Sequence, residues 1–323
     1  MTYLVTGGTG FIGSRVVRNL VREGEQVVVY DWALERRMLE RLLKPEEIEE
    51  KVKLVRGDVS DFSQLMSVIK QYNIEKVVHL AAFLLHDVNA NPLLSVKVNC
   101  EGTVNVFEAA RLMNLKKVIW ISSGSIFGPP EHYPQEYIPN DAPPLPQNLY
   151  GMTKYFDEQY ATYYADRYNL DITAIRLVLV YGAWQSRGRT AAIVQQMIVN
   201  PALGKPGKVP AAGDNILGWT YVEDAARAII LACKSGKTVT RSFSVRGMIH
   251  PVKEMAAYVK ELLPEADITL LPMERSKSHL IMTCKYDTTR IEEELGFKLQ
   301  WSMKDGVRET INLIRREQGL PTA

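Results

Sequence analysis

The stretch Thr6-Gly7-Gly8-Thr9-Gly10-Phe11-Ile12-Gly13 constrains this chain more than any other. Thr2-Tyr3-Leu4-Val5 ahead of it reads as a short buried strand. Behind it Phe11, Ile12, Val16, Leu20 and Val21 recur at helical spacing, and Glu23-Gly24 ends the run. A glycine-rich turn therefore joins a strand to a helix. Such a turn lets backbone approach a pyrophosphate, and the helix N-terminus offers free N–H groups and a positive dipole end. Gly8, Gly10 and Gly13 fit Gly-x-Gly-x-x-Gly, and Gly7, Gly10 and Gly13 fit the wider Gly-x-x-Gly-x-x-Gly. The pattern alone is weak; its context gives it weight. The next strand, Gln26-Val27-Val28-Val29-Tyr30, is closed by Asp31. A carboxylate there accepts hydrogen bonds from the adenosine ribose and repels a 2′-phosphate, so NAD is expected over NADP. The competing reading is a structural glycine turn in a sheet protein that binds no nucleotide.

Composition narrows the partners. The 323 residues suffice for one large or two modest domains. With 39 basic and 37 acidic residues the net charge is +2, which makes no electrostatic case for nucleic acid or an anionic membrane. Cys100, Cys233 and Cys284 are far apart and odd in number, and read as reduced, buried thiols of a cytoplasmic protein. The five histidines form no metal-ligand spacing, so no metal is expected. The first strand begins at residue 2, so no signal peptide is expected. No apolar run approaches the roughly 20 residues that span a bilayer.

Strand and helix patterns then alternate. A charged helical segment from Ala33 to Glu50 breaks at Pro45, followed by a strand at Val52–Val55 and a helix at Phe62–Lys70. A strand at Val77–Leu80, a long helix from Pro92 to Met113 and a strand at Lys117–Ile121 come next. A helix at Tyr150–Tyr168 leads to a strand at Ile172–Ile175. This alternation predicts an α/β fold with a doubly wound parallel sheet. Gly7, Asp31, Asp58, Ala81 and Ser123 all fall at strand carboxyl ends, where such sheets bind ligands. The proline-rich stretch from Gly128 to Asn148 reads as a stiff loop over the site, or alternatively as a disordered insertion. After Arg176 loops are expected to dominate to Gly218. A helix at Val222–Lys234, a strand at Ser242–Val245 and helices near Pro251–Leu262, Asp287–Leu295 and Lys304–Arg316 follow, as a smaller lobe.

Tyr150-Gly151-Met152-Thr153-Lys154 puts a phenol and an ammonium on one helix face. A nearby ammonium favours the phenolate, so the Tyr150 pKa is expected to fall towards neutrality, which suits an acid/base for a secondary alcohol or its ketone. By itself Tyr-x-x-x-Lys carries little weight, and a second copy exists at Tyr72 and Lys76. That copy precedes a strand, on the far side of the sheet, and reads as chance.

Taken in order, these pieces resemble the extended short-chain dehydrogenase/reductase family, also called the NAD-dependent epimerase/dehydratase family. The matching residues are the glycine turn, Asp31, Gly57-Asp58-Val59, His79-Leu80-Ala81-Ala82, Asn99 with Gly102-Thr103-Val104-Asn105-Val106, Ser122-Ser123, Tyr150 to Lys154, Tyr181-Gly182 and Tyr221-Val222-Glu223-Asp224. The resemblance covers essentially the whole chain. It implies a Rossmann domain over 1–176, to which 216–245 return, and a substrate-binding lobe over 177–323. It implies that Ser123 polarises the substrate oxygen, that Tyr150 moves the proton, and that Lys154 also grips the nicotinamide ribose. Asn99 would organise the helix and a relay water. Gly7, Gly10, Phe11, Ile12, Gly13, Asp31, Ala81 and Ala82 would line the NAD site, and Asp58 and Val59 would frame the adenine.

Departures from the family pattern bear on the substrate. Nucleotide-sugar members usually carry an asparagine where this chain has Leu179, and Arg-Asp where it has Leu217-Gly218. A diphosphate needs cationic or N–H partners. Phe83, Leu84 and Leu85 suggest an apolar lining, and Ser125, Leu179 and Trp184 are further candidates to meet the substrate. Arg187 and Arg189 are candidates to hold an anion, against the plainer reading of hydrated loop charges. The expected activity is NAD-dependent hydride transfer on a small hydroxy or sugar-like substrate not carried on a nucleotide. The alternatives are an epimerase or dehydratase that recycles its NAD, and a catalytically silent NAD-sensing protein. The resemblance also implies a homodimer through the helices near 92–113 and 150–168, with Phe107, Leu112, Phe156, Tyr160 and Tyr164 in the contact.

Overall fold

A computed structural model describes residues 1–188, 190–272 and 285–323, and of Pro130 only the backbone. Cys284 and Arg189 lie outside the described residues.

The apolar runs of the first half become strands, buried on both faces except for the edge strand Val52–Arg56. They are β1 (Thr2–Thr6), β2 (Gln26–Asp31), β3 (Val52–Arg56), β4 (Lys76–His79), β5 (Lys117–Ser123) and β6 (Ile172–Leu177). The intervening helices are α1 (Gly13–Arg22), α2 (Arg36–Glu40), α3 (Pro45–Lys51), α4 (Phe62–Gln71), α5 (Leu85–Ala90), α6 (Pro92–Ser95), α7 (Gly102–Leu112) and α8 (Leu149–Tyr168). Pro45 opens α3, where its missing N–H costs nothing. The helix expected over 92–113 is present, but Val96–Glu101 forms a π-helical turn between α6 and α7.

Beyond β6 come β7 (Val180–Tyr181), α9 (Ala191–Val194), α10 (Asn200–Ala202), β8 (Gly207–Val209), β9 (Ile216–Tyr221) and α11 (Val222–Lys234). Then follow β10 (Ser242–Ser244), β11 (Met248–Pro251), α12 (Val252–Leu262), β12 (Ile268–Leu270), α13 (Thr289–Leu295) and α14 (Met303–Glu317). The expectation that loops dominate from Arg176 to Gly218 is corrected here. Ala191 to Ala202 is one helical run, with Val194, Met197 and Ile198 buried. Its apolar face is short and lies between glycines and prolines, so its period is weak in the sequence.

The large sheet has seven strands in the order β10-β6-β5-β4-β1-β2-β3, all paired in parallel. Strand order reverses between β1 and β4, and the crevice at that switch point is where such sheets take ligands. Two cores flank it. One packs Val16, Val17 and Leu20 of α1 with Ile229 of α11 and Phe243; the other packs Leu65, Phe107, Trp120 and Tyr164 beneath α4, α7 and α8. A three-stranded sheet, β11-β9-β7, and a two-stranded one, β12-β8, build the later part of the chain.

The proline-rich loop is ordered, so the disordered-insertion alternative falls away. Leu145 donates its N–H to Ile126 O at 2.9 Å, and the Tyr133 hydroxyl donates to Pro143 O at 2.9 Å. Asn140 bonds Ser242 O and Ser244 N across the sheet edge, each at 2.8 Å. Cys100 and Cys233 are buried free thiols. Among the described residues no helix is long and apolar enough to cross a membrane.

Candidate active site

The site grows from the turn after β1. Gly7 adopts φ +68°, and a Cβ on Gly13 would lie 2.1 Å from Gly7 O, so neither position tolerates a side chain. α1 starts without a side-chain cap at Ile12; Ser14 N and Arg15 N bond Gly10 O at 2.9 Å and Ile12 O at 3.0 Å, and among the described residues the N–H groups of Ile12 and Gly13 are left for another partner. Asp31 is buried at the end of β2, and its Oδ2 accepts from Thr9 Oγ1 at 2.7 Å and Thr9 N at 3.2 Å. Among the described residues its Oδ1 has only the Ala33 N–H at 3.4 Å, which leaves capacity for hydroxyl donors. A cradle closed to Cβ atoms, a bare helix N-terminus and a held carboxylate fit a dinucleotide. Val59 is buried against Gly102, while Asp58 is exposed and binds Ser60 N and Oγ, each at 2.9 Å.

Ser123 ends β5 and Tyr150 lies in the first turn of α8. Asn148 caps that helix by accepting from Gly151 N at 2.9 Å. A Cβ on Gly151 would sit 2.1 Å from Ser125 O, so glycine lets the helix start press against the Ser123–Ser125 segment. The Ser123 hydroxyl lies close enough to the Tyr150 phenol to favour its charged form. Ser123 Oγ also accepts from Ser125 N at 3.1 Å. One turn on, Lys154 is buried, its Nζ 3.9 Å from Asp157 Oδ2, 5.6 Å from the Trp120 ring centre and 5.9 Å from that of Tyr150.

The expected fall of the Tyr150 pKa does not occur. Burial pushes the phenol up to about 12, Asp157 pushes the same way, and the nearby Ser123 hydroxyl only partly offsets them. Burial lowers the Lys154 pKa and raises that of Asp157, each opposed by the charge of the other.

Asn99 sits in the π turn, fully buried. Its Oδ1 accepts from Phe83 N at 2.7 Å, and its Nδ2 donates to Phe83 O at 3.0 Å and Thr153 Oγ1 at 3.3 Å. It therefore pins the chain after β4 to α8, two elements the sequence leaves unconnected. Ala81 faces Gly7 across the switch point, and Ala82, Phe83 and Leu85 are partly buried beside it. Ser125 is buried. Leu179 takes φ +27° and Trp184 φ +65°. The Trp184 ring lies 5.2 Å from the Arg15 guanidinium and 5.0 Å from that of Arg41, and its Nε1 donates to Glu317 at 2.7 Å. Arg187 pairs with Asp87 of α5 at 2.8 Å, across an open cavity of about 530 Å³ that includes Leu84 and His86.

Several buried polar residues escape sequence reasoning. His79 bonds Thr6 Oγ1 at 2.7 Å and Thr103 Oγ1 at 3.1 Å, and burial holds its pKa down to about 3, hence neutral. Thr6 Oγ1 also accepts from Leu80 N and Ala81 N, each at 3.2 Å, which fixes the chain after β4. Glu158 is bound twice by Arg176, at 2.8 and 2.6 Å. The signal available for Asp157 was its place three residues after Lys154, on the same helix face.

The family model described as the NAD dependent epimerase/dehydratase family matches residues 3–245. A UDP-glucose 4-epimerase of Mycolicibacterium smegmatis is 28% identical over 98% of this chain and 99% of its own. The structure of UDP-glucose 4-epimerase from Thermotoga maritima with UDP-glucose superposes with a TM-score of 0.82 at 25% identity, covering 98% of this chain and 100% of its own. A partial consensus L-threonine 3-dehydrogenase reaches 0.85 at 24% identity, over 96% and 98% of the two chains, a likeness of fold alone.

Proposed function

This chain belongs to the NAD-dependent epimerase/dehydratase family of extended short-chain enzymes, and from that premise we propose how its residues divide the chemistry. It is an NAD-dependent oxidoreductase. Gly7, Gly10, Phe11, Ile12, Gly13 and Asp31 hold the dinucleotide, with Asp58, Val59, Ala81 and Ala82 along its length. NAD supplies the carbon that takes up or gives back hydride. Ser123 binds the carbinol or carbonyl oxygen, and Tyr150 exchanges the proton with it. Lys154 holds the ribose and sets the field at the phenol. Asn99 positions Phe83 and, through Thr153, the start of α8. The observation that carries this reading is that Ser123, Tyr150 and Lys154 converge at the carboxyl edge of the same parallel sheet whose first strand leads into the dinucleotide cradle.

The substrate is a small hydroxy or sugar-like compound not carried on a nucleotide. Leu217 is packed in the core and Leu179 is half-buried, so neither position presents a diphosphate partner. Phe83, Leu85 and Ser125 line its pocket, and Arg187 closes the mouth. Thermal shift with NAD present, across hydroxy acids, polyols and nucleotide sugars, tests this: stabilisation by UDP-glucose alone sinks it. The second reading, an epimerase that keeps its NAD, draws support from the full-length epimerase relative. Substrate-dependent accumulation of NADH separates the two, because an epimerase shows isotope exchange without it.

The nucleotide unit is taken as 1–176 with 216–245, and the substrate lobe as the rest of 177–323; limited proteolysis that cuts within these units and not between them argues against that division. The protein acts in the cytoplasm, which cell fractionation tests. It pairs as a homodimer through α7 and α8, where Leu112, Met152, Phe156, Tyr160 and Tyr163 are exposed. Phe107 and Tyr164, expected in that contact, are instead buried in the core. Light scattering that finds only monomer at micromolar concentration excludes the dimer.

A further inference from the structure

Asp157 is fully buried directly below Lys154, on the next turn of α8. Its Oδ1 has no hydrogen-bond partner among the described residues. Its Oδ2 lies 3.4 Å from Thr103 Oγ1, but that hydroxyl has one proton and the nearer carbonyl of Asn99 takes it. A carboxylate so poorly hydrogen-bonded and so dry is strongly disfavoured unless a cation faces it. Lys154 Nζ at 3.9 Å is that cation. The other ionisable groups facing the pair are accounted for. Glu158 is bound to Arg176 and Ser122. His79 of β4 is neutral, and burial holds the Cys100 thiol of the π turn up at about 12. The field at Tyr150 is therefore set by Lys154 and Asp157 together.

We infer that Asp157 is the internal counter-ion of Lys154: it positions the ammonium from beneath and cancels much of its field at Tyr150, so that the phenol, not the phenolate, is the resting form of the site. The assignment rests on the acid/base role given to Tyr150 above. Its consequence is a direction. A resting phenol is ready to donate a proton to a carbonyl oxygen as hydride arrives on the carbonyl carbon, so reduction is favoured at neutral pH. The reverse reaction requires the phenolate, which takes the carbinol proton as hydride leaves, and so needs alkali.

The test follows phenolate absorption in the near ultraviolet for the protein and for Tyr150→Phe, in the same buffers without added NAD. The difference isolates Tyr150. In the wild type its midpoint lies at or above the ~10 of free tyrosine. Asp157→Asn, which keeps the shape and removes the charge, lowers that midpoint by about one pH unit or more, the size of an unopposed neighbouring charge. Asp157→Glu restores the wild-type value, which a merely structural defect would not. The pH profile of alcohol oxidation moves with the absorbance. A wild-type midpoint below ~10 overturns the inference even if no Asp157 variant folds, and so does an Asp157→Asn midpoint that stays or rises. If instead Tyr150→Phe keeps its turnover, the functional reading fails, and the absorbance still decides what Asp157 does.

Discussion

Tyr150 and Lys154 share their spacing with Tyr72 and Lys76, yet the fold sends the two pairs to opposite ends of the sheet. Tyr150 and Lys154 sit one turn apart inside α8 and face the carboxyl edge of β5. Tyr72 is the last residue of α4's cap, Asn73 turns the chain with φ +49°, and Lys76 opens β4. The Lys76 ammonium bonds Cys233 O at 2.8 Å and lies over the Tyr3 ring, at the end of the sheet opposite the glycine turn at 7–13. Four residues of separation put two side chains together only where a helix carries all of them. The pair also needs a third group at a strand end, and only Tyr150 has one, in Ser123.

The largest difference between the pairs should appear in turnover. Tyr150→Phe removes the hydroxyl that exchanges the proton, and the loss should be roughly 10² to 10⁴-fold, the usual contribution of an acid/base group. NAD affinity should hardly change, since the ring and the dinucleotide cradle remain. Lys154→Ala should weaken both turnover and NAD binding. Steady-state kinetics on a substrate that the wild type converts, with NAD binding measured by titration, decide the matter. Near wild-type turnover in Tyr150→Phe would remove the distinction between the two pairs.

The sequence carries the first pair well and its foundations poorly. The glycine turn, Asp31, Ser123 and Tyr150 are legible because each sits at a boundary that local pattern marks: a strand end, a helix start, a backbone position that only glycine fills. Thr6, His79, Thr103 and Asp157 lie in different elements and meet only when β1, β4, α7 and α8 pack. Nothing in local periodicity announces that His79 and Thr103 bond across the core. The same reason hides the lowered chance of a phenolate at Tyr150. Spacing shows the ammonium, whereas the burial and the opposing carboxylate that outweigh it are tertiary. The π turn at Asn99 also escapes, because helix periodicity averages over a single extra residue per turn.

His79 gives a second and smaller contrast, since it lies in the buried chain that leads to Lys154. Its folded pKa is about 3, below the ~6.5 of an unfolded histidine. Between those values the unfolded chain binds the extra proton, so folding stability falls as pH drops from about 6.5 and is unaffected above it. Chemical denaturation at a series of pH values should show this slope in the wild type. His79→Gln should flatten it relative to the wild type, even though it loses stability at neutral pH by disturbing Thr6 and Thr103. An unchanged slope would mean that His79 takes up its proton while folded.

The smallest effects belong to the second pair, and they sharpen the comparison because they should touch stability alone. Lys76→Met removes a charged donor from Cys233 O but keeps the stem over Tyr3. A hydrogen bond of this kind contributes about 1 to 3 kcal/mol, and this one is only partly buried. The expected outcome is a loss of roughly 1 kcal/mol in denaturant titration, with kcat and NAD affinity unaltered. Tyr72→Phe deletes a hydroxyl from a half-buried ring packed on the second core and should stay within about 0.5 kcal/mol of the wild type. Neither residue contacts Ser123, Asp31 or the glycine turn in any hydrogen bond of the described residues. A fall in kcat from either substitution, without matching loss of folded protein, would mean that the amino end of β4 communicates with the chemistry at its carboxyl end. The strand from Lys76 to His79, and on through Thr6 to Ala81, is a hydrogen-bonded route by which it could do so.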